Sequence, residues 1–248
     1  MSAYLLGLLQ RMADDSYREG EQKVGGVHER SKTVSGTAIE EARSLQDTAL
    51  LPDLMQFVRA EKDKSVRTRA YFALGCLIRN TSNLEGKQFL VDSLSRETDT
   101  HILVSILNRL EEMYKPASIS LQRIFELTDY NSRIRHAAYK ALTNGEEPVE
   151  DFLLERLREA PKDDFSTLIN ALMYVGTEKS LPQLMTYVKS RNGWVYSFVR
   201  NAITVIMLRE GYPSAVIEQK IQVSADWVIH HQNRLALLTH PDRDSKDS

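Results

Sequence analysis

The residues that could do chemistry in this chain are few and scattered. His230, His231 and His240 offer imidazoles near the C-terminal end, and Cys76 offers one thiol. Glu40-Glu41, Glu111-Glu112 and Glu146-Glu147 offer adjacent carboxylates. A metal centre needs several ligands converging on one point. His230 and His231 are neighbours, so on a helix they point to different sides, and no Cys or carboxylate completes a convincing set. The glutamate pairs fail as acid–base dyads for the same geometric reason. Cys76 lies within the apolar run Ala73 to Ile78, where a thiol packs as a small inert side chain. There is no phosphate-cradling glycine loop, no dinucleotide fingerprint and no nucleophile elbow. The sequence therefore predicts no catalytic residue, no metal and no cofactor.

The elements that would have to position a site are better marked. Of the 248 residues, 42% are hydrophobic, which is ample for a core. Lys and Arg number 32 against 34 Asp and Glu, for a formal charge of -2, so the whole chain carries no basic field for nucleic acid. A single cysteine excludes an intrachain disulfide. The apolar stretch near Tyr4 to Leu9 is far shorter than the ~20 residues of a membrane span and follows no basic residue. The composition predicts a soluble protein without membrane attachment, in the cytoplasm by default.

Self-similarity is the strongest signal. Val66, Arg67, Ala70, Ala73 and Leu74 recur as Ile134, Arg135, Ala138, Ala141 and Leu142. Ile102, Ile106 and Leu110 fill an intermediate copy, and Thr167, Ala171 and Gly176 a later one; Val199 and Arg200 restore the Val-Arg pair. Successive copies start about 32 to 36 residues apart. Each is preceded by a second amphipathic segment, as in Leu51, Leu54, Phe57 and Val58 or Leu181, Leu184, Tyr187 and Val188. Pro52 and Pro182 stand near helix starts, where a missing amide donor costs little. Strings rich in Asn, Gly, Ser and Pro separate the segments.

A helix pair of this length, with D-x-x-V-R-x-x-A-x-x-A-L-G in its second helix, resembles the HEAT-repeat family. Asp63, Val66, Arg67, Ala70, Ala73, Leu74 and Gly75 carry the match, then Asn131, Ile134, Arg135, Ala138, Ala141 and Leu142. Leu103 and Leu168 replace the Arg in two copies, and Arg109 stands where Ala73 does. The resemblance implies an all-α, right-handed α-solenoid of about five helix pairs over 48–211. An N-terminal helix, a polar loop and a return helix precede it (1–47). Capping helices over 212–240 and a flexible tail over 241–248 follow. Tyr4, Leu5, Leu8, Leu9 and Met12 are expected on one side of the first helix, and Ser35 or Thr37 is expected to cap the return helix.

The resemblance also implies a role for the repeated Asp and Arg. Asp63, Arg67, Arg135 and Arg200 are expected to form a structural ladder between successive pairs, each contact worth around 0 to 1 kcal/mol. The second helices would line the concave face. Asn108, Glu112, His136, Lys140, Asn170 and Met173 are the residues expected to meet a protein or peptide partner there. Their mixed polar, charged and apolar character suits a protein surface more than a phosphate-tracking groove, and Glu112 would repel nucleic acid. The leading expectation is a non-enzymatic scaffold, adaptor or inhibitor, of which a bacterial immunity protein would be one version. Two enzymes of similar architecture are the alternatives: an alkylpurine DNA glycosylase, toward which Trp194 and Arg200 point faintly, and a bilin lyase.

Overall fold

The computed structural model of the chain describes residues 2–18, 30–145, 149–188 and 193–239. The polar segment expected after the first helix, the acidic pair Glu146-Glu147, His240 and the C-terminal tail lie wholly or largely outside them. All regular structure among the described residues is helical, with no strand. No described helix is long and apolar enough to cross a membrane.

The chain divides by contacts into two compact units, residues 1–144 and 145–248. The first holds α1 (Ala3–Arg11), α2 (Val34–Arg43), α3 (Leu51–Ala60), α4 (Lys64–Thr81), α5 (Leu84–Arg96), α6 (Thr100–Glu111), α7 (Gln122–Leu127) and α8 (Ser132–Ala141). They pack as pairs, α1 on α2, α3 on α4, α5 on α6 and α7 on α8. The second members then stack in order, α2 on α4, α4 on α6 and α6 on α8. The second unit holds α9 (Val149–Arg158), α10 (Lys162–Val175), α11 (Leu181–Tyr187), α12 (Gly193–Arg209), α13 (Ser214–Ile221) and α14 (Ala225–Thr239). It repeats the wiring: α9 packs on α10, α11 on α12 and α13 on α14, while α12 touches both α10 and α14.

Local chemistry explains where these helices start. Asp63, Asn83, Asp99 and Asn131 each accept a backbone N–H from the first turn that follows, satisfying a donor that has no helical partner. Pro52 and Pro182 occupy the first turns of α3 and α11. α4 ends at Ser82, whose φ of 50° is the left-handed conformation that closes a helix. The packing stripe of α4 is built from small and branched residues: Ala70, Ala73, Leu74 and Leu77 are fully buried. Ala138, Ala141 and Leu142 do the same on α8.

Two expectations about the N-terminal region need correcting. Tyr4 is 46% exposed and leaves the buried side of α1 to Leu5, Leu8, Leu9 and Met12. The cap of α2 is Thr33, whose hydroxyl accepts from the Gly36 N–H; Ser35 and Thr37 lie inside the helix. The pairing also begins earlier than the sequence pattern indicates. α1 and α2 form a pair of the same kind, and α2 stacks on α4.

Candidate functional site

In the first unit, α4, α6 and α8 lie side by side with α3, α5 and α7 packed against them. The stack is tied at both ends of its helices. At the N-terminal end, Arg67 Nη2 donates to Glu97 Oε2 at 2.9 Å, and its Nη1 donates to the Glu61 carbonyl at 2.8 Å. Glu97 caps the end of α5 and is nearly buried; its other oxygen accepts from the Tyr71 hydroxyl at 3.1 Å. Burial pushes the Tyr71 phenol up to about 12, with the neighbouring Glu97 charge adding to the shift. Beside this group Lys64 reaches Asp99 at 3.0 Å, and Asp99 in turn caps α6. That lysine holds the Asp99 carboxyl below its usual range.

At the opposite end, Glu112 gathers two guanidiniums: Arg79 from α4 at 3.1 Å and Arg109 from α6 at 2.9 Å. Arg109 also lies over the Phe72 ring, 4.9 Å from its centroid, and places Nη1 3.9 Å from the Cys76 sulfur. Gly75 makes room for this side chain. A Cβ at position 75 would lie 2.8 Å from the Arg109 Cβ and closer still to its Cγ. The arginine that breaks the alanine pattern of α6 is therefore accommodated by the glycine of α4. Cys76 is buried and its thiol is pushed up, chiefly by burial.

The side of the layer facing away from α3, α5 and α7 presents one column from each helix. Arg69 and Phe72 stand on α4, both half-buried. His101, Ser105 and Asn108 stand on α6, with His101 exposed. Arg133, His136 and Lys140 stand on α8, with Arg133 and Lys140 exposed. No protein-family model matches this chain, and no curated protein matches it. The functional reading therefore depends on this surface alone.

Of the six residues expected to meet a partner, Asn108, Glu112, His136 and Lys140 come together on neighbouring helices of the first unit. Glu112 differs from the others because both its oxygens are occupied by arginines, so its charge is neutralised in place. Asn170 and Met173 stand half-buried on α10 of the second unit, one helical turn apart. The four ladder residues also have distinct environments. Asp63 caps α4 through a 2.8 Å bond from the Val66 N–H. Arg67 bridges to the next pair as described, and Arg135 donates to the Tyr130 carbonyl at 3.3 Å. Arg200 lies 3.7 Å from the centroid of Tyr196, one turn back on its own helix. Where Leu103 and Leu168 replace the arginine, the position is fully core. The side chain of Trp194 lies outside the described residues.

Several polar groups escaped the sequence reading. A second set of ties joins the C-terminal ends of stacked helices. Asn80 of α4 donates to the carbonyls of Arg43, the last residue of α2, and of Leu45 just after it, and Asn144 after α8 donates to the Glu111 carbonyl of α6. Arg209 of α12 donates to the Met173, Tyr174 and Gly176 carbonyls at the end of α10. The available signal was a polar residue near the helix end at the repeat spacing. Lys115 is 1% exposed, and its ammonium donates to the Met113 carbonyl at 3.0 Å. Burial lowers its pKa to about 7, against a small opposing pull from Glu111.

In the second unit His231 is buried between α12 and α14. Its Nδ1 meets the Trp227 carbonyl at 2.9 Å, and its Nε2 meets the Asn201 side chain at 2.9 Å. A backbone carbonyl only accepts, so Nδ1 carries the proton. Nε2 faces the Asn201 Oδ1, and burial lowers the pKa of the ring while the Trp227 carbonyl contact opposes that shift. His230 is exposed, with its ring edge-on to that of His231 at 5.3 Å between centroids, so the expectation that the two point apart is corrected; no metal-ligating cluster occurs among the described residues.

Proposed function

We propose that the protein is a non-enzymatic scaffold, adaptor or inhibitor, that its helix pairs are HEAT-like repeats, and that a protein partner binds the outer face of α4, α6 and α8. The observation that supports this reading is the repeated column of side chains on that face. Ser105, Asn108, His136 and Lys140 come from two helices more than 20 residues apart in sequence, yet the α6–α8 packing sets them on one surface. The ion pairs that fix the stack lie at the helix ends and leave this middle band for a partner. Asn170 and Met173 are the corresponding residues to test on the second unit.

The test is affinity capture with the full chain, followed by calorimetry on the captured protein. Asn108→Trp places bulk in the centre of the band, and His136→Glu with Lys140→Glu reverses its charge. Each change is expected to weaken binding by more than about 2 kcal/mol with helical circular dichroism unchanged. Unaltered affinity in both, with loss on changing Tyr17 instead, would place the site in the N-terminal segment.

A further inference from the structure

We infer that the outer face of α4, α6 and α8 takes an acidic, extended segment of its protein partner. This inference rests on the reading of that face as a binding surface and names the chemistry of its occupant. The three helices carry Lys64, Arg67, Arg69, Arg79, Arg109, Arg133, Arg135 and Lys140, against Glu111 as their one acid. The chain as a whole is at -2, so this surplus is local, and the rest of the molecule carries the compensating negative charge. Four of the cations are held by acids: Lys64 on Asp99, Arg67 on Glu97, and Arg79 and Arg109 on Glu112. Arg69, Arg133 and Lys140 meet no acid among the described residues; Arg69 Nη1 reaches only Ser65 Oγ. His101 adds an exposed imidazole on α6.

The spacing selects an extended peptide. Arg69 on α4 and Arg133 or Lys140 on α8 are the free cations among the described residues of this face, two interhelical steps apart, and each step between packed helices is about 8–10 Å. A strand-like chain rises about 3.3 Å per residue and covers that distance in three. Acids about six residues apart would therefore meet Arg69 and then Arg133 or Lys140, and the residues between them would pass His101, Ser105 and Asn108 on α6. Nucleic acid fits less well. The Phe72 ring is covered by the Arg109 guanidinium on one side, which removes an open platform for a base. The unpaired cations are also isolated points, one on α4 and two at opposite ends of α8, not a continuous rail for phosphates.

The probe is a capped twelve-residue peptide of Glu-Ser-Gly repeats, read by fluorescence anisotropy with the full chain at low salt. Its Gln-Ser-Gly counterpart and a twelve-nucleotide oligothymidine serve as comparisons. The glutamate peptide is expected to bind, the glutamine peptide not. Arg133→Glu with Lys140→Glu should weaken binding about tenfold or more. Asn108→Trp should block it, and Lys162→Glu on the second unit should leave it unchanged. Peptide binding indifferent to the charge reversals, or binding of the oligonucleotide alone, overturns the inference. Absence of binding by both probes overturns it too. The broader reading then stands or falls separately, on whether Asn108→Trp weakens the captured partner.

Discussion

Arg67 and Glu97 meet at 2.9 Å between side chains 18% and 9% exposed, so a cation on α4 and an anion at the end of α5 are desolvated together. That burial changes the energetics expected of a surface ion pair. Removing one partner of a desolvated pair leaves the other charge without compensation. Arg67→Ala should therefore cost about 2 to 4 kcal/mol, well above the 0 to 1 kcal/mol of an exposed contact. Adding Glu97→Gln should recover part of the loss, because the orphaned charge is gone. Urea unfolding of the two variants checks this; equal stability of Arg67→Ala and the parent would show that the pair is solvated.

Gly75 sets two effects against each other. Alanine is the better helix former by about 1 kcal/mol, so Gly75→Ala would stabilise an isolated α4. Here the new methyl would overlap the Arg109 stem, and overpacking of that kind costs about 1 to 3 kcal/mol. Gly75→Ala should lower the melting temperature, and Arg109→Ala in the same chain should abolish the penalty. Additive losses in the double variant would show that the two positions are independent.

How much of this was legible in the sequence follows from the range of each interaction. The helices were readable because Leu51, Leu54 and Val58, or Ala70, Ala73, Leu74 and Leu77, repeat at helical steps within one segment. Asp63, Asn131, Pro52 and Pro182 marked their starts through bonds spanning three residues or fewer. Glu97 was not readable as the acceptor of Arg67, because 30 residues separate them and Glu97 lies in a turn like any other. The same holds for Glu112, which the sequence pattern sets among the partner-facing residues and whose oxygens are filled by Arg79 of α4 and Arg109 of α6. Whole-chain charge concealed the local surplus on α4, α6 and α8, since a sum near zero carries no information on which face each charge occupies.

Lys115 predicts an alkaline rise in stability. Its folded pKa is lowered to about 7 from 10.5, so between those values the unfolded chain holds more protons than the native one. Stability then increases from about pH 7 to pH 10.5 and is lower below it, where the native ammonium is charged and buried. Lys115→Met should remove that slope. At pH 6 it should raise stability on the order of 2 kcal/mol, after about 1 kcal/mol is lost with the Met113 hydrogen bond. Denaturant melts at pH 6 and pH 9 decide it; parallel shifts at both would show the lysine stays charged throughout.

His231 predicts the acid side. Its pKa lies below the ordinary 6.5, so its contribution is complete above that value and is lost as pH falls through the folded pKa. Trp227 stacks on this ring with centroids 4.9 Å apart and donates to Thr204, so its fluorescence reports the α12–α14 contact. In a Trp194→Phe background, emission should change on acidification and the change should vanish in His231→Gln. A pH-independent signal in the parent would show that protonation does not disturb the contact.

Three side-chain ties at the C-terminal ends of the stacked helices run in one direction, while one backbone bond, from the Lys115 N–H to the Asn144 carbonyl, runs the other way. Asn80 closes the end of α2, Asn144 closes α6, and Arg209 closes α10; in each of the three the donor comes from later in the chain. A chain emerging from the ribosome meets this order as a delay. The end of α2 stays open until α4 has been made, and the end of α6 waits for the residue after α8. Closure of these three helix ends lags by about one repeat, so a chain halted after Ala141 lacks the Asn144 donor and leaves the Glu111 carbonyl open to water. Translation itself thus sets the sequence in which these helix ends become sealed, from the first pair onward.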